Sequence, residues 1–469
     1  MKNVLIFVPT KKQKMRTFLF IFISLVLFGC EKDDIQPIVP TPIQVTDTTK
    51  TSTTSPTVFY VDVPGEINSD YAHHVSPMTY YQDGGNEYIL LSRTASSPTV
   101  SYPTIQLKKV NGSWVNSKTF NDCQMGIGRN YEFTRDGIVY ADHGYEGEPR
   151  PFGDLYYGKF NNGDINWTKI SVGNGKSFYH DVSTGDINGD GLTDVVGIHM
   201  GIKNHDWGAT FHTFTQTTDG KFVENRNLVN HDKGGYNWYN SNGAIQVQDL
   251  NNDGRPEIIK ATYGKINSEK RYSILIYSFN KSSGQYEVVS ETTQLGIYDN
   301  PNIGTTSIQT NDFDKDGDVD LALAFEGEYT GIQIYRNNGN FNFTTSSDDI
   351  LKFNSPTNSD PMGDMEFREF NLVDFDNDGD LDVVLNPFHN GKKFRSSDKT
   401  SVYLENLFWR NDGTKFSQLQ TKIEVKNVNP DFLKGYMVNG VFKFIGTKSD
   451  FSANRIGIYE ITVPKELLK

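Results

Sequence analysis

The sequence lacks most of the features by which common protein classes are recognised. It has only two cysteines in 469 residues, so at most one disulfide can form and the fold relies mainly on core burial. Lysine and arginine number 45 against 58 acidic residues and form no basic stripe, which argues against a nucleic acid as partner. The apolar run from Phe18 to Phe28 is shorter than the ~20 residues of a membrane-spanning helix. No Walker or dinucleotide-binding motif fits, because the glycines lie between predicted strands and do not open helices.

The chain does contain one nine-residue pattern that occurs four times. The copies are DINGDGLTD from Asp186, DLNNDGRPE from Asp249, DFDKDGDVD from Asp312 and DFDNDGDLD from Asp374, so the pattern recurs about every 63 residues. Each copy has oxygen-bearing side chains at positions 1, 3, 5 and 9 and a glycine at position 6. Glycine permits a sharp turn, since it reaches positive φ at little steric cost.

This pattern predicts a loop that holds a hard cation. Ca²⁺ takes six to eight oxygen ligands in a flexible shell, whereas Mg²⁺ demands strict octahedral geometry and keeps its waters. Without an ion, carboxylates this close together would repel one another, so the metal becomes part of the fold. We therefore expect about four Ca²⁺ sites, with these ligands: Asp186, Asn188, Asp190, Asp194, Asp249, Asn251, Asp253, Glu257, Asp312, Asp314, Asp316, Asp320, Asp374, Asp376, Asp378 and Asp382.

Two other interpretations of the pattern compete with a calcium loop. The first is an acidic turn with no ion, which four copies at constant spacing make a poor explanation. The second is an EF-hand, which needs a twelve-residue loop ending in Glu between two helices. The segments that follow the four copies are VVGIHM, IIKATY, LALAFE and VVLNPF, which are short, apolar and β-rich and therefore indicate buried strands.

A period near 60 residues with several short strands per unit predicts the blades of a β-propeller. Three weaker units complete the pattern at 74–92, 129–144 and 435–449, with Asp83, Asp136 and Asn439 among their few polar loop residues. We therefore expect an all-β fold, a seven-bladed β-propeller of four-stranded blades. The segment TVFYVDV at 57–63 has no partner of its own, and we expect it to close the ring as the missing outer strand.

The DxDxDGxxD loops resemble those of the FG-GAP/VCBS repeat family, the β-propellers that include the head of the integrin α-subunit. With the weaker units, the resemblance extends over roughly residues 57–469. It implies a calcium-stabilised, monomeric propeller in which calcium stiffens one face and partners meet the other. It implies no particular activity, because a fold does not determine a function.

The N-terminus resembles a bacterial lipoprotein signal. Basic residues precede the apolar run, and Leu27-Phe28-Gly29-Cys30 is similar to a lipobox, which would make Cys30 the lipidated first residue. An ordinary signal peptide with a chance cysteine is the alternative, and Met15 would also begin a complete short signal. The acidic run that follows Cys30 is similar to the surface-export signal of Bacteroidetes lipoproteins. The expected location is the outer membrane, facing the cell exterior.

The sequence thus divides into three parts. Residues 1–29 form the lipoprotein signal peptide, 30–56 a lipid-anchored tether and 57–469 the propeller. The tether is rich in proline and threonine and poor in large apolar residues, so it cannot bury a core and is expected to be extended.

Aromatic and histidine residues are frequent in the predicted loops of the face opposite the metal loops. Aromatic rings stack on the apolar faces of a pyranose, and polar side chains bind its hydroxyls. The candidate ligand-binding residues are Trp238, Tyr236, Tyr239, Trp207, His180, His143 and His199. For each tryptophan, packing between blades is the competing explanation.

Three functions fit these observations. The first is a non-catalytic surface protein that binds a glycan or a protein partner. The second is a propeller-type polysaccharide lyase, in which His143, His180 and His199 with Tyr179 and Arg150 would form the site. The third is a structural subunit of an outer-membrane transport or secretion complex. No catalytic residue is assigned, because no paired-carboxylate or nucleophile motif stands out.

Overall fold

The computed structural model describes residues 49–62, 78–92, 102–125, 128–144, 153–170, 178–199, 211–230, 243–261, 273–293, 304–326, 331–352, 365–366, 370–386, 388–389, 401–427, 432–450 and 453–469. All of them belong to one compact unit, Thr48–Lys469. None of the helices in these ranges is long and apolar enough to cross a membrane.

The described residues are almost entirely β-strand. The strands of the first half are β1 (Lys50–Thr54), β2 (Thr57–Asp62), β3 (Met78–Asp83), β4 (Asn86–Leu91), β5 (Tyr102–Val110), β6 (Ser113–Met125), β7 (Gly128–Phe133), β8 (Gly137–Asp142), β9 (Leu155–Asn161), β10 (Asp164–Ile170), β11 (Tyr179–Gly185), β12 (Asp194–His199), β13 (Phe211–Gln216), β14 (Phe222–Glu224), β15 (Ala244–Gln248), β16 (Glu257–Ala261), β17 (Ser273–Asn280) and β18 (Gln285–Thr293).

The second half continues in the same way. Its strands are β19 (Gly304–Asn311), β20 (Asp320–Glu326), β21 (Gly331–Asn337), β22 (Phe343–Thr344), β23 (Ile350–Lys352), β24 (Met365–Glu366), β25 (Phe370–Val373), β26 (Asp382–Leu385), β27 (Phe388–His389), β28 (Ser401–Glu405), β29 (Phe408–Asn411), β30 (Phe416–Gln418), β31 (Thr421–Lys426), β32 (Phe432–Val438), β33 (Val441–Asp450) and β34 (Arg455–Thr462). Two 3₁₀ turns, Ser347–Asp349 and Lys465–Leu467, are the helical elements of the described part.

These strands form eight sheets, the blades of an all-β propeller. In chain order, blade 1 is β3-β4-β5-β6, blade 2 is β10-β9-β8-β7, blade 3 is β11-β12-β13-β14 and blade 4 is β15-β16-β17-β18. Blade 5 is β19-β20-β21-β22 with β23 also paired to β21, and blade 6 is β25-β26-β29-β30. Blade 7 is the three-stranded sheet β1-β31-β28, and blade 8 is the six-stranded sheet β2-β34-β33-β32-β27-β24.

The prediction of seven four-stranded blades is wrong in its count. The sequence of the segment 402–411, VYLENLFWRN, is typical of one continuous third strand, but the segment divides at Asn406, which has a left-handed φ of 54°. The part before Asn406, β28, pairs with β31, while the part after it, β29, pairs with β26 in blade 6. A left-handed residue interrupts a strand because it turns the backbone out of the extended region. The extra sheet therefore arises from a break that no glycine or proline marks.

The N-terminal strands join distant parts of the chain. Strand β2 pairs antiparallel with β34 from Thr57–Glu460 to Asp62–Arg455, which is the pairing expected of the 57–63 segment. Strand β1 pairs in parallel with β31, although Lys50–Thr54 had been placed in the tether. Both pairings cover sheet edges that would otherwise be open to other chains.

The core lies between neighbouring blades because strand side chains alternate between two faces. In β16, Ile258 belongs to the apolar cluster shared with blade 3, whereas Ile259 belongs to the cluster shared with blade 5. Blades 2 and 3 are joined in the same way through Val139 and Val195. This double burial explains why the strands after the four loops are continuous apolar runs.

Lys260 breaks that apolar pattern. It lies on β16 between its cross-strand neighbours Ile245 and Leu275, and the residue is completely buried. Its Nζ has no hydrogen-bond partner within the described ranges. Burial lowers the pKa of this ammonium group to about 7, because a charge is disfavoured in an apolar environment.

We predict that Lys260→Met stabilises the protein more at pH 6 than at pH 9.5. Because the pKa is lower in the folded state than in the unfolded state, folding releases a proton between these values, and stability rises with pH through that window. The stabilising effect of the substitution on the free energy of unfolding should be larger at pH 6 than at pH 9.5 by about 2–4 kcal/mol. Urea unfolding at both pH values measures it, with the exposed Lys352→Met as control. An effect of the same size at both pH values would contradict the assignment.

Candidate metal centre

The four acidic loops join the first and second strands of four consecutive blades. Loop 1 (186–194) connects β11 to β12, and loop 2 (249–257) connects β15 to β16. Loop 3 (312–320) connects β19 to β20, and loop 4 (374–382) connects β25 to β26. The loops therefore occupy equivalent places in blades 3 to 6, at the ends of their first strands.

Position 1 organises the turn in every loop. Its carboxylate accepts a hydrogen bond from the backbone N–H of the glycine at position 6, at 2.7 Å in loop 1, 2.9 Å in loop 2, 3.0 Å in loop 3 and 3.1 Å in loop 4. All four of these glycines have positive φ, namely Gly191 (83°), Gly254 (86°), Gly317 (97°) and Gly379 (93°). The turn predicted at position 6 is confirmed by this backbone geometry.

Position 4 is also left-handed in all four loops, which the sequence analysis missed. The residues are Gly189 (φ 82°), Asn252 (57°), Lys315 (61°) and Asn377 (66°). Three of the four are glycine or asparagine, the residues that adopt this conformation most readily. That composition was a usable signal, and Lys315 is the exception.

The carboxylate at position 9 anchors each loop to the core through hydrogen bonds. Asp194, Glu257, Asp320 and Asp382 are at most 1% exposed. One oxygen of each accepts the backbone N–H of position 2, at 3.1 Å from Ile187, 2.9 Å from Leu250, 2.9 Å from Phe313 and 3.0 Å from Phe375. In loops 1, 3 and 4 the other oxygen accepts a backbone N–H from the third strand of the blade, at Gln216, Asn337 and Asn411. Position 9 is thus a structural clamp as well as a candidate ligand.

Loops 3 and 4 each bring three carboxylates close enough to hold one metal ion. The groups are Asp312, Asp314 and Asp320 in loop 3, and Asp374, Asp376 and Asp382 in loop 4, with ligand oxygens within 4.8 Å of one another. Asp316 and Asp378, predicted as ligands, are outside these two groups, and their Oδ1 atoms accept the backbone N–H of position 7 at 2.9 Å.

The oxygens in these two groups fit a bound cation. Three of them, Asp312 Oδ1, Asp314 Oδ1 and Asp376 Oδ1, are buried and accept no hydrogen bond from any residue that the structure describes. Burial and then the neighbouring carboxylates raise the pKa of Asp314 and Asp376, and burial is also the largest of the effects that raise the pKa of Asp382 to about 7. Buried carboxylates without a donor are costly, and a hard cation supplies the missing partner.

Loops 1 and 2 have an asparagine at position 3 where loops 3 and 4 have an aspartate. Asn188 Nδ2 donates to Asp190 Oδ2 at 2.9 Å, and Asn251 Nδ2 donates to Asp253 Oδ2 at 3.3 Å. Loops 1 and 2 therefore each have one carboxylate fewer than loops 3 and 4, and the asparagine amide donates to one of the carboxylates that remain. Because ligand charge tunes calcium affinity, loops 1 and 2 are the weaker candidates.

Neighbouring loops contact one another through positions 2 to 7. Arg255 of loop 2 donates from Nη2 to the carbonyl oxygen of Ile187 in loop 1 at 2.7 Å. Asn252 of loop 2 donates from Nδ2 to the carbonyl oxygen of Gly317 in loop 3 at 3.5 Å, and Lys315 of loop 3 forms an ion pair with Asp380 of loop 4. The four loops therefore form one continuous belt across blades 3 to 6.

The polar residues of the weaker units are used in contacts within the protein. Asp83 Oδ2 accepts the backbone N–H of Gly163 at 2.7 Å. Asp136 accepts from the Tyr157 hydroxyl at 2.9 Å and lies 3.2 Å from Lys159 Nζ. These contacts give the weaker loops a structural role without an ion.

Of the candidate ligand-binding residues, the structure brings two histidines together. His143 Nε2 lies 2.9 Å from His180 Nε2, and His143 is buried. His199 ends β12 opposite Tyr179, and its side chain lies outside the described part of the chain. Trp207, Tyr236, Trp238 and Tyr239 also lie outside the described residues, as does Arg150.

Tyr179, which the lyase hypothesis placed beside these histidines, is directed elsewhere. Its hydroxyl is hydrogen-bonded to His212 Nδ1 at 2.9 Å, and Tyr179 is completely buried. A proton-transfer residue must come within hydrogen-bond reach of its substrate. The described residues therefore do not place Tyr179 with His143 and His180 in one site.

Comparison with known proteins identifies the repeat. The family model of the FG-GAP-like repeat matches residues 312–385, the stretch that contains loops 3 and 4. The resemblance predicted from the DxDxDGxxD pattern is thus confirmed for this part of the chain. No sequence among the curated proteins matches the chain.

Several solved structures are similar in outline. A putative 6-phosphogluconolactonase from Bacteroides fragilis is 11% identical with a TM-score of 0.42, and the match covers 80% of this chain and 96% of that one. A Trypanosoma rangeli sialidase in complex with sialic acid is 10% identical with a TM-score of 0.44, over 89% of this chain and 60% of that one. A Lactobacillus plantarum protein is 12% identical with a TM-score of 0.37, over 73% and 97%. At these TM-scores the likenesses carry no argument about function.

We predict that Asp376→Asn weakens Ca²⁺ binding at loop 4 by ~10-fold or more, because it removes one of three converging carboxylates. Calorimetric titration of protein stripped with EDTA measures the change. Asp348→Asn removes the same charge from an exposed 3₁₀ turn and serves as the matched control. Equal affinities for the variant, the control and the wild type would contradict the loop 4 site.

Proposed function

We propose that this chain is a calcium-stabilised, lipid-anchored surface protein that binds a glycan or a protein partner without catalysis. The observation on which the proposal rests is the belt of four acidic loops, two of which contain buried carboxylate oxygens with no donor. An ion in such a loop would fix the end of a blade. A propeller fixed in this way is suited to present a rigid surface.

The donor sets support Ca²⁺ as the ion. Loops 3 and 4 have carboxylates at positions 1, 3, 5 and 9, and oxygen-only sets of this kind suit calcium. Asp312, Asp314 and Asp320 would hold one ion, and Asp374, Asp376 and Asp382 another. Loops 1 and 2, with an asparagine each, are proposed as two further and weaker sites.

Contacts between the loops support a role as a platform. Because Lys315 pairs with Asp380 and Asn252 bonds to Gly317, an ion that fixes one loop also restricts its neighbour. A partner that meets the other face would then find blades 3 to 6 already ordered. Binding of a preorganised surface loses less conformational entropy.

The proposed location rests on the N-terminal sequence. The lipobox-like Leu27-Phe28-Gly29-Cys30 and the acidic residues after it favour a lipid anchor at Cys30 and exposure at the outer membrane. A scaffold role in an outer-membrane complex would use the same anchor and the same rigid propeller. The two roles differ in their partner, a glycan in one case and a membrane protein in the other.

We predict that the purified protein with Ca²⁺ binds glycans on an array and loses that binding in EDTA, because the apo loops repel their own carboxylates. Pull-down from outer membranes in mild detergent tests the protein-partner form of the proposal. Binding to neither a glycan nor a membrane protein would refute the proposed function. Asp376→Asn should need more Ca²⁺ for the same array signal than Asp348→Asn does.

We also predict that Cys30→Ser abolishes lipidation and releases the protein from the membrane fraction. Metabolic labelling with a fatty-acid analogue and detergent partitioning measure both effects. Cys123→Ser is the control, since Cys123 is buried in the propeller and should not affect the label. A label retained in Cys30→Ser would contradict the anchor.

A further inference from the structure

One strand from each of six blades contributes to the wall of a partly open cavity of about 390 Å³. It is lined from β7, β11, β15, β19, β25 and β32, and we call it the central cavity. Its lining residues are Asn130, Tyr131, Glu132, Phe133, Asp181, Val182, Ile245, Gln246, Ser307, Ile308, Gln309, Phe370, Asn371, Lys434 and Tyr436. The volume is within the range of small-molecule sites.

Two polar side chains of the cavity have no hydrogen-bond partner among the described residues. Ser307 is only 6% exposed, yet no hydrogen bond to its hydroxyl occurs among the described residues. The amide of Gln246, on β15, likewise has no side-chain hydrogen bond within the described part of the chain. A hydroxyl and an amide that line a cavity without a partner in its wall are available to hydrogen-bond a ligand there.

The other polar groups of the cavity are held in place by the protein. Asp181 accepts from Asn130 Nδ2 at 2.5 Å and from the backbone N–H of Ile245 at 2.9 Å. Asn371 Nδ2 donates to the carbonyl oxygen of Gly435 in blade 8. Such fixed surroundings preorganise the wall around Ser307 and Gln246.

The backbone of three strands that line the central cavity is irregular next to the cavity. Strands β7, β11 and β19 each have a one-residue irregularity immediately before a cavity residue, between Gly128 and Asn130, between Tyr179 and Asp181, and between Thr305 and Ser307. Bulges re-aim a side chain and are common beside binding sites. Three of the six lining strands therefore have an irregularity directly beside a polar residue of the central cavity.

The charge states of the residues that line the central cavity favour an uncharged ligand. Burial raises the pKa of Glu132 to about 7 and the pKa of Asp181 to about 8, so that near neutral pH Glu132 is about half protonated and Asp181 is mostly protonated. Lys434 Nζ lies 4.4 Å from the centre of the Tyr131 ring, so its charge already faces an aromatic surface. Amide, hydroxyl and aromatic groups then remain for the ligand, the combination that recognises a sugar ring.

We propose that the central cavity binds one uncharged pyranose unit, with Ser307 and Gln246 as specificity-determining residues that hydrogen-bond its hydroxyls. The inference deepens the glycan form of the proposed function and rests on it. It places the sugar on the propeller axis, away from the acidic loops and from the loop residues nominated from the sequence.

Saturation-transfer NMR and calorimetric titration of the full chain in Ca²⁺ test the site with D-glucose, D-galactose, D-mannose and N-acetyl-D-glucosamine. At least one should bind in the millimolar range or tighter. Ser307→Ala and Gln246→Leu should each weaken that binding by ~10-fold, because each removes a buried hydrogen bond to the ligand. Ser290→Ala is the matched control, since its hydroxyl donates to Phe341 on the outer part of a blade.

Two results would overturn the inference: no binding of any of the four sugars, or binding that Ser307→Ala and Gln246→Leu leave unchanged. Thermal unfolding of each variant in Ca²⁺ checks that a loss of binding is not a loss of fold. Array binding that survives both cavity variants would keep the proposed function and remove the cavity site. Sugar binding that both variants weaken, without any array signal, would support the cavity and remove the surface capture of longer glycans.

Discussion

The structure depends on how converging carboxylates are compensated at the ends of the blades. In loops 3 and 4, three aspartates lie within one ligand shell, and some of their oxygens have no donor. Hydrogen bonds from the loop backbone satisfy positions 1, 5 and 9 in part, but they cannot cancel the repulsion between like charges. A bound divalent cation would do so, and it would make the turn, the charge and the blade end parts of one unit.

That local unit extends over half of the propeller because the loops touch. Asn337 and Asn411 occupy equivalent places in blades 5 and 6, and each donates to a carbonyl oxygen in the preceding loop, at Leu250 and Phe313. Side chains also link the first strands of successive blades, as from Val247 N–H to Ser183 Oγ and from Gln309 Nε2 to the carbonyl oxygen of Phe370. These hydrogen bonds connect strands that carry both an acidic loop and, a few residues away, part of the wall of the central cavity.

The sequence predicted the parts of this arrangement that a local pattern determines. The propeller class, the glycine turn and the closing strand β2 all follow from spacing and from alternation. The eighth sheet could not be predicted, because Asn406 interrupts the segment 402–411 and because the third strand of that sheet, β1, comes from the N-terminal segment and pairs with β31. The central cavity was missed although a signal existed: its lining residues Gln246, Gln309 and Asn371 each stand three residues before the first aspartate of a loop. The loop residues that lie close together are determined by contacts between blades. No local sequence pattern encodes those contacts.

The most direct measurement is an anomalous-scattering map from crystals grown in Ca²⁺. The account predicts peaks with oxygen distances of about 2.3–2.6 Å to Asp312, Asp314 and Asp320, and to Asp374, Asp376 and Asp382. Weaker peaks are expected in loops 1 and 2. Crystals in saturating Ca²⁺ with no peak in loop 3 or loop 4 would contradict the account.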